Sequence, residues 1–370
     1  MKVLILSASI GSGHTKAAEA VADAFDEQVQ IVDFMDKDIS LVNFLLKKLY
    51  LSMLSLIPDL YDRIYQLAGV RRFGSITRLI WSTLMYLPFT RLLKKYQPDI
   101  IICTHPFPEA AASLWKFLHP KSAGKFTLAA ILTDYSLHEI WIYNEVDVYF
   151  VATEEMKREL ETHGKYKVYA FGIPIAKDFY NNQNKNNSLE EAANNNSSFL
   201  IHNSSLLIMG GGLGLGSFET TIKALDKIDL PLRITVVTGK NERLMAKLKS
   251  TKSKHELILL GFVNNISKLM RESDLLISKP GALTLTESFA VGLPVLLLPP
   301  IPGPESLNAE FAVKHGAAIS IENADIAVKV YDLINNNERL NAMRKSSKAL
   351  ANEEAAQEIV NTITEICRKE

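Results

Sequence analysis
Short, continuously apolar runs recur through this chain, and each stops in a loop of glycine, histidine or acid. Lys2 to Ser7, Pro98 to Cys103, Phe126 to Leu132, Leu206 to Met209, Asp274 to Ile277 and Val295 to Leu298 are all of this kind. A half-solvated strand alternates apolar and polar residues, whereas a strand covered on both faces does not. Buried strands separated by helix-length segments predict parallel sheets of βα units. The 370 residues suffice for two such domains, at roughly 150 to 200 residues each.

The most informative loop follows Asp274 to Ile277. Gly281 opens a helix whose first-turn N–H groups are unpaired, and Gly292 with Pro294 closes it. A helix start presented at the carboxyl end of a buried strand binds anions, phosphate first among them. Glu287, one turn in, is an acceptor suited to a pair of sugar hydroxyls; the plain alternative is an ordinary βα turn with a solvated Glu287. Five glycines from Gly210 to Gly216 also permit close approach to a diphosphate, although no register gives G-x-G-x-x-G.

Near the amino terminus, Ser9-Ile10-Gly11-Ser12-Gly13-His14 forms a strand-to-helix loop with an imidazole on its tip, and the helix is predicted to run to about Phe25. Neither a dinucleotide fingerprint nor a Walker loop fits this spacing. His14 is either a helix cap or a general base, the role its ordinary pKa suits. Loops at other strand ends carry His105, Asp134 and His138, and strand ends of a parallel sheet share one crevice. Asp36-Lys37-Asp38 has the letters of a metal motif but reads better as helix capping.

Composition narrows the class. Two cysteines, Cys103 and Cys367, argue for a reducing setting and against a disulfide framework or zinc site. No signal peptide or membrane span is expected. The formal net charge is zero, yet Leu41 to Gln97 holds nine basic against two acidic side chains, a net of +7, together with nine aromatics. Apolar residues there recur every three or four positions, predicting amphipathic helices at about 41–97. Their faces suit an anionic bilayer, or a core with snorkelling cations. So apolar a basic segment in a neutral chain does not predict nucleic-acid binding. Asn181 to Ser205, rich in Asn and Ser, reads as a linker.

Taken together, Gly11-Ser12-Gly13-His14, Thr133-Asp134-Tyr135 with His138 and Trp141, Gly172-Ile173-Pro174-Ile175, Gly239-Lys240-Asn241, Lys279-Pro280-Gly281 and Thr284-Leu285-Thr286-Glu287 resemble the processive diacylglycerol glucosyltransferases and monogalactosyldiacylglycerol synthases. That family is related to the peptidoglycan N-acetylglucosaminyltransferase. The resemblance implies an α/β chain of GT-B type, with two Rossmann-like domains facing each other across a cleft. Residues 1–178 would take the acceptor, 179–205 would link, and 206–370 would bind a UDP-sugar, with the last helix returning to the first domain.

By the same resemblance the base lies against Gly261, Phe262 and Val263. The Gly281, Ala282 and Thr284 helix start receives the phosphates, Gly211, Gly212, Gly239 and Asn241 also belong to the donor site, Glu287 takes the ribose, and Glu305 and Asn308 reach toward the hexose. Pro304 stands where the family usually has Gln in a Pro-Gly-Gln-Glu segment. His14 and Asp134 would be catalytic, and Gly13, His105, Pro106, Tyr135, His138 and Trp141 would meet the acceptor. The implied reaction is an inverting, cofactor-free and metal-independent transfer of glucose or galactose to diacylglycerol. It would occur at an anionic cytoplasmic leaflet, with the protein peripheral to the membrane. Another lipid-linked acceptor, or UDP-sugar epimerisation, would use the same architecture. The transferase reading requires the Gly13-His14 turn to meet the Ala282 helix start.

Overall fold
The computed structural model describes residues 1–57, 63–67, 69, 71–180, 204–212, 214, 216–300 and 303–369. Two six-stranded sheets, parallel throughout, form its two halves. The front sheet is ordered β2-β1-β3-β4-β5-β6, with β1 at Val3–Ser7, β2 at Gln30–Asp33, β3 at Ile100–Cys103, β4 at Thr127–Ile131, β5 at Val148–Phe150 and β6 at Val168–Tyr169. The rear sheet is ordered β12-β11-β10-β7-β8-β9, with β7 at Ser204–Met209, β8 at Leu232–Val237, β9 at Glu256–Leu260, β10 at Leu275–Ser278, β11 at Val295–Leu297 and β12 at Ala318–Ser320. β1, β3, β4, β5, β10 and β11 are buried at every position, as strands covered on both faces must be.

Strand order fixes where a ligand can sit. In the front sheet the chain leaves β1 for β2 on one side and returns to β3 on the other, so the loops after β1 and β3 diverge. The rear sheet repeats this at β7 and β10. Such reversals open the crevice in which parallel sheets bind ligands.

Helices cover both faces. In the front half, α1 spans Gly13–Ala22, α2 Leu41–Leu56, α3 Arg71–Tyr96, α4 Pro106–Leu118 and α5 Glu154–Glu161. α1 thus stops three residues short of Phe25, where the turn tightens as Ala24 N–H bonds the Val21 carbonyl and Phe25 N–H the Ala22 carbonyl, each at 3.2 Å. In the rear half, α6 spans Phe218–Leu225, α7 Glu242–Lys249, α8 Ile266–Arg271, α9 Ala282–Val291, α10 Glu305–Lys314, α11 Ile326–Ile334 and α12 Asn337–Ala349. The closing helix α13, Ala355–Lys369, crosses back: Ile359, Val360 and Ile363 pack with Val3, Ile5, Ile100 and Ile102 beneath the front sheet.

Chain crossings do not coincide with residue 178. Ile173, Ile175 and Phe179 already pack with Leu285, Phe289 and Leu293 of the rear half. Of the Asn-rich linker, residues 181–203 lie outside the described residues, while Ser204 and Ser205 belong to β7.

The basic segment divides by face. On α3, Ser82, Met85, Phe89 and Leu92 are buried, while Ile76, Leu79, Ile80, Leu84 and Leu87 are exposed along the opposite side. Leu41, Leu45 and Leu49 make a similar exposed row on α2. Among the described residues no helix is long and apolar enough to cross a membrane.

Candidate active site
His14 lies in the first turn of α1 rather than on the loop tip, because the helical bonding begins at Ser12, whose carbonyl accepts from Lys16 N–H at 3.0 Å. Its ring spans the front switch point. Nδ1 is 2.9 Å from the Thr104 carbonyl, at the end of β3, and 2.7 Å from Thr133 Oγ1, at the end of β4. A carbonyl only accepts, so Nδ1 carries the proton and the lone pair sits on Nε2. Burial lowers the His14 pKa from its ordinary 6.5, partly offset by the Asp134 carboxylate and the Thr104 carbonyl. The ring is therefore neutral at pH 7, as a general base must be.

His105 caps α4 by accepting Phe107 N–H at 3.1 Å through Nδ1, and its ring meets that of His14 edge-on at 4.6 Å. Burial, then the nearby His14, hold it well below 6.5. It packs against the His14 ring and is not among the residues that line the cavity described below.

The rear switch point brings the glycine loop after β7 against the start of α9. Gly281 is the extended N-cap of α9, with no side chain on the free N–H groups, and Gly292 closes the helix in the left-handed region at φ 69°. A Cβ on Gly281 would stand 3.6 Å from Lys279 Nζ, and one on Gly211 would stand 3.7 Å from Lys279 Cε. The ammonium thus hangs between the glycine loop and the α9 start, ion-paired with Glu305. Gly239, at φ 60°, is obligatory: a Cβ would come within 2.6 Å of the Gly212 carbonyl oxygen.

The two halves meet at one cavity of about 530 Å³, lined by His14, Thr133 and Asp134 on one side and Lys279, Gly281, Ala282, Thr284 and Glu287 on the other. A Cβ on Gly13 would be 3.6 Å from Leu283 Cβ, and one on Gly212 would be 3.0 Å from Ser12 Oγ. The turn and the helix start are in contact. Glu287 is enclosed there, its pKa pushed up to about 8 chiefly by burial and then by Asp178, with Lys16 opposing.

The cavity also takes in Gly13, Gly211, Gly212, Gly239, Phe262, Val263, Glu305 and Asn308. Other expected contacts serve as scaffold. Asn241 caps α7 through Leu244 N–H at 2.9 Å and holds the Gly214 carbonyl at 3.2 Å, while Gly261 lies behind Phe262, outside the lining. Pro106 begins α4 and is buried, as is Trp141 in the front core. His138 caps the short turn at Glu139–Trp141 and reaches the Tyr65 carbonyl at 3.1 Å. Tyr135 stacks on Phe311 at 4.2 Å and bonds Thr286 Oγ1 at 2.8 Å, joining the halves. Acceptor contact for His105, Pro106, Tyr135, His138 and Trp141 therefore lacks support from this cavity: their polar or apolar surface is spent inside the protein.

Sequence reading left out Lys279, Thr133, Lys16 and Ser12 from the site. Lys279 had a signal, a lone cation between a buried strand and Pro-Gly. Thr133 had none, since its role depends on β4 lying beside β3. Among the described residues no cluster of His, Cys, Asp and Glu could hold a metal ion, and Asp36 serves a turn by accepting Asp38 N–H.

Comparison with known proteins agrees with this fold. Residues 14–175 fit the monogalactosyldiacylglycerol (MGDG) synthase family model, and residues 205–363 fit the glycosyltransferase family 28 C-terminal domain. In fold, the chain resembles MurG of Acinetobacter baumannii, with a TM-score of 0.63 at 16% identity over 98% of this chain and 99% of that one. It also resembles the UDP-GlcNAc 2-epimerase of Neisseria meningitidis bound to UDP-GlcNAc, with a TM-score of 0.59 at 16% identity over 99% and 100%. The processive diacylglycerol beta-glucosyltransferase of Bacillus pumilus is 32% identical over 380 residues, spanning 98% of this chain and 94% of that protein. Identity at that level along nearly the whole of both chains, on two facing Rossmann-like halves, makes this protein a GT-B glycosyltransferase of the processive diacylglycerol beta-glucosyltransferase family.

Proposed function
We propose that the protein transfers glucose from UDP-glucose to the free hydroxyl of diacylglycerol, with inversion, at an anionic cytoplasmic membrane surface. The observation that carries this reading is His14: Nδ1 is occupied by Thr104 and Thr133, and the bare Nε2 is left at a cavity whose far wall is the α9 start. The acceptor hydroxyl gives its proton to Nε2 as its oxygen bonds the anomeric carbon, and the bond from that carbon to the UDP oxygen breaks. Charge building on UDP is met by the free N–H groups of α9 and by Lys279. These groups supply the positive potential, so transfer is expected to persist in a chelator.

The Bacillus pumilus relative is a diacylglycerol beta-glucosyltransferase, which favours diacylglycerol as acceptor and glucose as the sugar. The exposed apolar rows of α2 and α3, with Arg91, Lys94 and Lys95 exposed at the end of α3, fit docking on anionic lipid. Mass spectrometry of lipids after incubation with diacylglycerol vesicles and UDP-glucose or UDP-galactose tests the reading. A hexosyl-diacylglycerol from UDP-glucose is expected. A UDP-sugar altered in the absence of any acceptor would mark an epimerase instead.

A further inference from the structure
Asn308 is 1% exposed, on α10 of the rear half, four residues after Pro304 at the start of that helix. Both ends of its amide are committed to the opposite half. Oδ1 accepts the Tyr135 N–H at 2.8 Å, and Nδ2 donates to Asp134 Oδ1 at 3.0 Å. A donor-sugar contact was the expectation for this residue, yet its hydrogen bonds point the other way. One turn earlier on the same helix, Glu305 pairs with Lys279 at the phosphate end.

Asp134 is the anionic side chain that favours the protonated form of His14. Apart from it, His14 faces His105 from the head of α4, while Lys279 and Glu305 across the cavity neutralise each other. Asp134 follows Thr133, which touches Nδ1, so its backbone is fixed; its carboxylate, on a free torsion, is not. Among the hydrogen bonds of the described residues, the donor that fixes it comes from Asn308.

We infer that Asn308 is a positioning residue for proton transfer: the donor half uses it to hold the Asp134 carboxylate toward the His14 imidazole, so the base is complete only when the two halves are joined. The inference rests on the glycosyltransfer reading for its role, whereas the titration arm of its test does not. As the imidazole gains the acceptor proton, a carboxylate aimed at it stabilises the cation; a carboxylate turned to solvent does not. The electrostatic partner in the front half is thereby linked to the helix that begins at the donor's sugar.

The test follows the His14 imidazole by NMR in the full-length protein without substrate, with His14→Gln to assign its signal. Asn308→Ala and the volume-keeping Asn308→Leu are compared with Asp134→Asn and with Thr286→Val, which removes a neighbouring bond between the halves without touching Asp134. Both Asn308 variants and Asp134→Asn should lower the titration midpoint by about one unit, and Thr286→Val should leave it in place. In turnover, the Asn308 variants should lose about a hundredfold in kcat, the scale of a misplaced catalytic group, with KM for UDP-glucose within about twofold. A midpoint unmoved in folded Asn308→Leu while Asp134→Asn shifts it overturns the inference. So does an equal fall in kcat for Thr286→Val, which would make the contact a clasp alone. A wild-type chain with no transfer to diacylglycerol would sink the functional reading and leave the midpoint comparison to decide the positioning role.

Discussion

His14 and Glu287 are two titrating groups with opposite displacements, and their pH dependences differ accordingly. Burial lowers His14, so the acid limb of the turnover profile should lie below pH 6.5 and activity should be flat above it until another group intervenes. His14→Ala should lower kcat at least about a hundredfold, the usual scale of general base catalysis, with UDP affinity unchanged by calorimetry. Glu287, at about 8, is mostly protonated in the empty site at neutral pH. Ribose hydroxyls, the contact that the family resemblance implies for Glu287, donate better to a carboxylate, so UDP binding should release protons at pH 7 and strengthen as pH rises toward 8. Calorimetry in buffers of differing ionisation enthalpy measures that release, which Glu287→Gln should abolish. The same raised pKa means that the empty protein binds more protons folded than unfolded. Glu287's contribution to stability is thus full below the ordinary carboxyl range and is lost as pH climbs through about 8.

At the scale of elements, glycine loops and amphipathic helices each make a prediction. Gly239→Ala forces a Cβ into the Gly212 carbonyl at a left-handed φ, which should cost on the order of 1–3 kcal/mol and lower the melting temperature together with UDP affinity. On α3, Ile80→Glu alters only an exposed apolar position. It should weaken partition onto anionic vesicles by about tenfold, or about 1.4 kcal/mol, with the melting temperature nearly unchanged; equal sedimentation with vesicles would remove α3 from the membrane surface. The buried strands, the Gly281 helix start and the closing Gly292 were legible because their signals are local: an apolar run, an unpaired turn, a left-handed residue. The roles of Tyr135, Asn241 and Asn308 were not. An amide or phenol beside a glycine loop reads the same whether it meets a ligand or a distant carbonyl, and only the fold brings Asn308 within 3.0 Å of Asp134.

For the whole molecule, a shared crevice at the strand ends was legible from the parallel βα pattern, whereas the strand order that places it, each sheet reversing where its glycine loop lies, came from the fold. Where the halves divide was less legible, because Ile173, Ile175 and Phe179 are apolar enough to belong to either core and only packing assigns them to the rear. Connections between halves run through this segment and through Asn352, which holds the Phe171 carbonyl at 2.9 Å and whose own carbonyl accepts the Tyr180 hydroxyl at 2.9 Å. Any swing of the rear half against the front would pivot on these two neighbouring crossings. Cutting the tie with Asn352→Ala should raise KM for UDP-glucose more than it lowers the melting temperature, checked by kinetics and thermal unfolding.

The return of α13 beneath the front sheet also sets an order of synthesis. Ile359, Val360 and Ile363 cover Val3, Ile5, Ile100 and Ile102, and they leave the ribosome after every strand of the described residues has been made. The half that is translated first is therefore the half that is finished last. A nascent chain carries that uncovered strip throughout its growth, and a stop codon anywhere before residue 355 would strand it in that state.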